Sequence, residues 1–331
     1  MTEYKSIQEL LSELRSCIAI DENGKSFIRT KAGTGGSVDP TPDPDPGPSP
    51  EPETFDPNIP FYIENATDTI TDILIADYDS SGTGVRSRLN CKISYDNNTW
   101  QAFEMPRNED GETITLNNKG DRVYIKADYN TAKGELDNAH AEINVIDGST
   151  IYAGGNIASL SFGTDDKFKL EDSYKKIPIN YNNLYYSLFR DNVYLAKAPQ
   201  LPAMQLGMGC YASMFQGCIG LKNAPTLPSV AAISGCYESM FQGCTNLETA
   251  PDLKCDTLAA RCYANMFNGC SKINSLRCYA TLIPSSATNC TANWLKGVAT
   301  SGTLHYYDTD ITLEKDSVNG VPTSWKVVSL G

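Results

Sequence analysis

The stretch that decides the fold is a nine-residue block that occurs three times: Cys210-Tyr211-Ala212-Ser213-Met214-Phe215-Gln216-Gly217-Cys218, Cys236-Tyr237-Glu238-Ser239-Met240-Phe241-Gln242-Gly243-Cys244 and Cys262-Tyr263-Ala264-Asn265-Met266-Phe267-Asn268-Gly269-Cys270. The first cysteines of successive blocks are 26 residues apart. One copy of such a unit cannot bury its apolar face, whereas stacked neighbours can form a continuous core. The blocks therefore predict stacked repeats with methionine and phenylalanine inside.

Weaker copies extend this pattern in both directions. Leu184 lies 26 residues before Cys210, and the residues after it follow the block in degraded form. Cys290 lies 28 residues after Cys262 and begins another divergent copy. The spacing predicts a solenoid of five repeats over residues 184–298, with the divergent copies as caps. The glycine of each full block is expected at a turn with positive φ.

The cysteines are predicted to be buried, free thiols in two rows. Nine of the eleven lie from Cys210 to Cys290, and six of these recur at matching positions of the three full blocks. The first twenty residues contain no apolar signal segment, which favours a reducing compartment. Disulfides or a metal remain the alternatives, but only two histidines and no Cys-x-x-Cys pair occur. We therefore expect no metal and no cofactor.

The blocks resemble the BspA-like leucine-rich repeat, whose units contain a Phe-x-Gly-Cys-x-x-Leu core. Residues 215–221 and 241–247 match this core fully, whereas residues 267–273 have isoleucine in place of leucine. The order of segments also resembles fibre and decoration proteins of phages of gut Bacteroidetes (crAss-like phages) and related bacterial surface proteins. The resemblance implies adhesion and binding roles and supplies no catalytic residues.

Residues 59–175 are predicted to form an antiparallel β-sandwich. Short, partly alternating segments are separated by turn residues such as Asp96-Asn97-Asn98, a pattern typical of such folds. The strand-like segments are 61–63, 73–75, 89–95, 100–103, 114–116, 122–126, 143–145 and 159–162. Trp100 is interpreted as a core aromatic, with a ligand platform as the alternative. Residues 176–298 form the repeat domain, and residues 299–331 form a C-terminal β cap.

The N-terminal part is predicted to be an anchor on a stiff spacer. In residues 1–31, apolar side chains follow helical spacing and form one stripe: Ile7, Leu10, Leu11, Leu14 and Ile18. This stripe is expected to join the chain to an assembly or to copies of itself, with docking on its own chain as the alternative. Residues 32–58 are a linker in which prolines alternate with acidic residues, which favours extended polyproline II.

These features predict a multidomain α+β protein without enzymatic activity. The net charge of −13 argues against a nucleic-acid partner, and no apolar run is long enough to span a membrane. No nucleophile–base motif or phosphate loop occurs. The expected function is that of a phage virion fibre or decoration protein that attaches to the host surface, assembled in the host cytoplasm as a homo-oligomer such as a trimer. The alternative is an adhesin on the bacterial cell surface.

The partners are expected to be other virion proteins at the N-terminal helix and a host surface protein or glycan at the repeats. One tyrosine follows the first cysteine of every full block: Tyr211, Tyr237 and Tyr263. If each cysteine points inward, its neighbour can point partly outward, which would give a ladder of aromatic faces for a partner. The alternative is that all three are core aromatics.

Overall fold

The structure, a computed structural model, describes residues 18–20, 26–28, 56–77, 90–104, 113–127, 141–145, 149–162, 182–306 and 320–329. It divides into two compact units, residues 1–47 and residues 48–331. In the first unit, strand β1 (Ile18–Ile20) pairs antiparallel with strand β2 (Ser26–Ile28). The placement of Ile18 in a helical stripe is therefore wrong, because Ile18 lies in a strand and pairs with Ile28.

The second unit begins with eight strands and one helical turn. They are β3 (Tyr62–Asn65), β4 (Thr71–Asp77), β5 (Asn90–Ser94), β6 (Gln101–Glu104), β7 (Thr113–Leu116), β8 (Arg122–Ala127), β9 (Ala141–Val145), β10 (Ile151–Gly154) and helix α1 (Ser159–Phe162). Seven of the eight predicted strand segments coincide with strands. The eighth is wrong, because α1 occupies residues 159–162, and β10 was not predicted.

These strands form two sheets. The first has six strands in the order β11-β10-β3-β8-β5-β6, where β11 (Leu195–Lys197) belongs to the first repeat. The second has three strands in the order β7-β4-β9. Neighbours pair antiparallel except β10 and β11, which are parallel. Alternation along β8 buries Val123 and Ile125 and turns Arg122, Tyr124 and Lys126 outward.

In the repeats the backbone turns instead of extending. A positive φ occurs at every fourth residue from just before the first full block, at Gly209 (60°), Ser213 (56°) and Gly217 (74°). The N–H groups between these positions bond alternately within the block and to the next repeat. Thus Met214 N–H donates to the Tyr211 carbonyl at 3.3 Å, whereas Phe215 N–H donates to the Met240 carbonyl at 2.9 Å.

The predicted fold class, α+β with an N-terminal helix and a leucine-rich-repeat solenoid, is contradicted. The residues that the structure describes are mostly β-strands and turns, and their one helical segment is the four-residue α1. A leucine-rich-repeat solenoid is not shown: within residues 184–298 the described strands are β11 and β12 (Ser275–Cys278). The recurrent positive φ values interrupt helix and strand alike. The first seventeen residues, where the helix was expected, lie outside the described residues.

The sheets and the first repeat share one core. The N–H of Ile143 in β9 donates to the Leu188 carbonyl at 2.8 Å, and the rings of Phe61 and Phe189 lie 6.2 Å apart. Asn192 Nδ2 donates to the Ile143 carbonyl at 2.9 Å. No gap therefore separates the strands from the repeats. The division of the chain into five domains stays a prediction.

The last repeat is covered by a three-stranded parallel sheet. In this sheet β12 pairs with β13 (Thr303–Tyr306), which pairs with β14 (Lys326–Ser329). Two buried tryptophans close this end: Trp294 Nε1 donates to the Gly320 carbonyl and Trp325 Nε1 donates to the Ala299 carbonyl, both at 2.9 Å. These bonds tie residues 320–329 to the end of the repeats.

Candidate contact surfaces

The three repeat tyrosines proposed as partner-binding residues are buried. Tyr211 and Tyr237 are 1% exposed and Tyr263 is 0% exposed. Their rings stack on one another, 6.1 Å apart for the first pair and 6.0 Å for the second. The expectation of an outward aromatic ladder is therefore wrong. It assumed that neighbouring residues point to opposite faces, as in a strand, whereas the block is a series of turns that buries Cys210 and Tyr211 together.

A parallel row of phenylalanines fills the rest of the interior. The rings of four phenylalanines stack nearly parallel to one another, with successive centroids 5.6, 5.6 and 5.8 Å apart: Phe189, Phe215, Phe241 and Phe267. All four side chains are fully buried. Full burial of one aromatic side chain contributes roughly 1.5–3 kcal/mol to the free energy of unfolding. These residues therefore hold the repeats together and leave no aromatic face of the row for a ligand.

The nine cysteines from Cys210 to Cys290 are free thiols and buried, which confirms the prediction for the cysteines of the repeats. In the second row each thiol donates to the carbonyl of a phenylalanine in the preceding repeat, as Cys218 does to Phe189 at 2.9 Å. Burial raises the pKa of Cys255 to about 11 and that of Cys210 to about 12. Because the thiolate is the nucleophile, thiols that stay protonated at neutral pH are poor candidates for catalysis.

Two outer rows of exposed side chains run across the repeats. The first, the 204 row, consists of Met204, Val230, Asp256 and Leu282, and the second, the 219 row, consists of Val193, Ile219, Thr245 and Ser271. Val230 and Leu282 are 54% and 52% exposed. Backbone bonds hold the first row in register, since Asp256 N–H donates to the Val230 carbonyl at 3.1 Å. The 204 row is apolar except at Asp256, and the 219 row changes from apolar to hydroxyl side chains along the stack.

Trp100 is not the core residue that we expected. Its side chain is partly exposed, and Lys126 Nζ lies 4.1 Å from the ring centroid. Because the ammonium group covers one face of the indole, this face is occupied within the chain itself. The core prediction fails because Trp100 lies at the end of a turn just before β6, on the outer side of the sheet.

A cleft of about 770 Å³ opens at one end of the two sheets. It lies between the turn after β5 and the turn between β7 and β8, and its polar and aromatic lining includes Tyr95, Asp96, Asn117, Asp121, Arg122 and Tyr124. The sequence identified both turns but gave no sign that they meet. Their proximity follows from pairing, since Ser94 of β5 lies opposite Tyr124 of β8.

The carboxylates of this cleft are fixed by their own turns. Asp96 Oδ1 accepts hydrogen bonds from the N–H groups of Thr99 at 2.7 Å and Asn98 at 2.8 Å. These two bonds hold the pKa of Asp96 well below its usual range. Asp121 Oδ2 accepts from the N–H groups of Asn117 at 3.1 Å and Asn118 at 2.8 Å. Both carboxylates are therefore held in place without a ligand.

Arg122 is the cation of the cleft and is tightly held. Its Nε donates to Glu64 Oε2 at 2.6 Å, and its guanidinium carbon lies 4.4 Å from the ring centroid of Tyr62. The guanidinium group also has a hydrogen bond with Tyr124. Since Glu64 already neutralises it, Arg122 can orient a polar ligand but offers little net attraction for an anion.

Four residues of the predicted anchor stripe lie outside the described residues: Ile7, Leu10, Leu11 and Leu14. The same holds for residues 32–55, which contain most of the predicted linker. The part of the chain that the structure describes contains no group of three or more histidine, cysteine or acidic residues suited to a metal ion. It also contains no helix long and apolar enough to cross a membrane.

Comparisons of the chain with protein-family models, with curated proteins and with solved structures found no match. The candidate surfaces are therefore defined by their own geometry. They are the two outer rows of the repeats and the cleft at the end of the sheets.

Proposed function

We propose that this chain is a non-enzymatic attachment protein, in which the repeats present their outer rows to a host surface protein or glycan. One observation carries the proposal: the recurrent apolar positions of the full blocks are buried, whereas the exposed positions of the two outer rows do not keep one residue type. Cys218, Phe241 and Met266, for example, belong to recurrent positions and are 0% exposed. Val230 and Asp256 occupy equivalent exposed positions with unlike chemistry.

A constant interior with a variable exposed surface favours a role in recognition over one in catalysis. A stack whose interior is filled by aromatic rings and protonated thiols gives a stiff support for side chains on its outside. Apolar residues such as Met204, 46% exposed, and Leu282 stay on the surface although burial would be favourable. Their exposure is explained if a partner covers them on binding.

The setting that fits best is a phage virion, as a fibre or decoration protein. The BspA-like Phe-x-Gly-Cys motif and the acidic, proline-rich segment of residues 38–52 support this assignment. In this proposal the N-terminal residues join the chain to other virion proteins, and copies associate as a homo-oligomer such as a trimer. The same motif supports the alternative of an adhesin on the bacterial cell surface.

Direct binding to cells tests the attachment role. Fluorescently labelled full-length protein should bind host cells saturably, and excess unlabelled protein should compete. Fractionation of a culture that produces the chain then separates the two settings by mass spectrometry. Recovery in purified particles supports the virion protein, whereas recovery in the cell envelope supports the adhesin. Absence of saturable binding to any candidate host would contradict the attachment role.

A further inference from the structure

The cleft at the end of the sheets is lined in a way that none of the functions above uses. Its lining combines the ring of Tyr95 with carboxylate, amide and guanidinium groups. Tyr95 is 52% exposed. The cleft volume of about 770 Å³ lies within the roughly 300–1,000 Å³ usual for small-ligand sites. We propose that this cleft binds a neutral pyranose oligosaccharide.

The polar groups suit a ligand that both donates and accepts hydrogen bonds. Asp121 uses Oδ2 for the N–H groups of Asn117 and Asn118, which leaves Oδ1 to accept a hydrogen bond from a sugar hydroxyl. The guanidinium group of Arg122 and the side-chain amide of Asn117 can donate to sugar oxygens. A ligand rich in hydroxyl groups satisfies both types of group at once.

Charge balance favours a neutral ligand over an anion. Asp96 and Asp121 place two carboxylates at the cleft, and the pKa of Asp96 is held low, so that it stays ionised. The positive charge of Arg122 is already neutralised by Glu64 at 2.6 Å. A polyanion such as a nucleic acid or an acidic polysaccharide would therefore meet net negative charge at the cleft, in a chain whose net charge is −13.

The aromatic groups suit the apolar face of a sugar ring. Tyr95 presents an exposed ring at the rim, and Tyr124 packs against Tyr62 with ring centroids 5.6 Å apart. An aromatic face can stack against the C–H groups of a pyranose while the edge groups bond to its hydroxyls. Because the turns hold their carboxylates in place before binding, little conformational entropy is lost when the sugar binds.

Saturation-transfer NMR on the full-length protein tests the proposal with defined probes. These are the hexasaccharides of glucose, mannose and N-acetylglucosamine, with polygalacturonate as the anionic probe. We expect at least one neutral probe to bind. Tyr95→Ala should weaken this binding by roughly tenfold, because stacking is lost, and Tyr95→Phe should keep it within about twofold.

Tyr152→Ala is the matched control, because Tyr152 is 38% exposed on the outer side of the same sheet but does not line the cleft. It should bind the sugar as the wild type does. Failure of every neutral probe, binding of polygalacturonate alone, or unchanged binding by Tyr95→Ala would each overturn the proposal. The readout is independent of attachment through the repeats, so variants of the 204 row should keep sugar binding.

Discussion

Cys244 donates its thiol hydrogen to the carbonyl oxygen of Phe215, 29 residues earlier in the chain, at 2.9 Å. Cys270 repeats this bond to Phe241 at 3.0 Å. Each bond joins a thiol to a backbone carbonyl of the neighbouring repeat. The thiols are therefore part of the contact between repeats, and several predictions about their chemistry can be checked.

The buried thiols should resist alkylation in the native protein. Treatment with iodoacetamide at neutral pH should add at most one label per chain, at Cys17, which lies outside the described residues. Unfolding in concentrated guanidinium should expose all eleven cysteines. Intact-mass measurement counts the labels, and rapid native labelling at several repeat cysteines would show that the stack opens readily.

Stability should fall at alkaline pH because the fold keeps these thiols neutral. Burial raises the pKa of Cys255 to about 11, whereas a thiol in the unfolded chain has a pKa of about 8.5. The stabilisation from keeping each thiol neutral is therefore fully present below about pH 8.5. As the pH rises toward 11 the free energy of unfolding falls, by up to about 1.4 kcal/mol per pH unit for each thiol.

Thermal unfolding between pH 7 and pH 11 with a reductant present measures this loss. The variant Cys255→Ala is less stable at neutral pH but should show a shallower decline, because one titrating group is gone. A melting temperature that stays constant across this range would contradict the buried, neutral state of the thiols.

Tyr211→Phe should leave the unfolding free energy unchanged or raise it by up to about 1 kcal/mol. The ring stays in its stack, and the change removes a buried hydroxyl that has no hydrogen-bond partner among the described residues. Tyr211→Ser removes the ring and should cost on the order of 3–5 kcal/mol. Urea unfolding of both variants tests this, and a loss above about 1 kcal/mol in Tyr211→Phe would mean that the hydroxyl is bonded.

Gly243→Ala should destabilise the protein by about 1–2 kcal/mol, because Gly243 has a φ of 77°, where a Cβ is unfavourable. The added Cβ would meet no atom closer than 3.8 Å, so that backbone strain and not a clash is the expected cause. Thr245→Ala, at an exposed position two residues later, is the control and should change stability by less than about 0.5 kcal/mol. Equal stability of the two variants would contradict the strained turn.

The sequence predicted which positions recur and that the recurrent cysteines, methionines and phenylalanines are buried, but not the local conformation of the block. The recurrent positions follow directly from the 26-residue register, and the positive φ expected for Gly217 is present at 74°. Turns and strands are both compatible with that register, and this ambiguity led to the wrong fold class and to the outward placement of Tyr211. A Leu-x-x-Ala-Pro segment begins at each of Leu195, Leu221 and Leu247, and the first of these segments contains strand β11. The two later segments make a single bridge, Asn223 with Thr249, because proline cannot donate to a sheet.

The two kinds of candidate surface differ in how far they could be predicted from the sequence. The 204 row could have been found by comparing exposed positions at the same 26-residue spacing, since Met204 and Val230 share a register. The cleft could not, because Tyr95 and Asp121 meet only through the pairing of β5 with β8. Strand order of this kind is set by tertiary packing and has no local signal.

The most direct test of the attachment role changes the 204 row and measures binding to host cells. The triple variant Met204→Asp, Val230→Asp and Leu282→Asp places charges at exposed positions, so its melting temperature should stay close to that of the wild type. Ile70→Asp is the control, because Ile70 is 55% exposed but lies outside the repeats. We predict that the triple variant binds cells at least about tenfold more weakly, since charges in a covered apolar contact are costly, and that Ile70→Asp binds normally. Unchanged cell binding by a correctly folded triple variant would contradict the account.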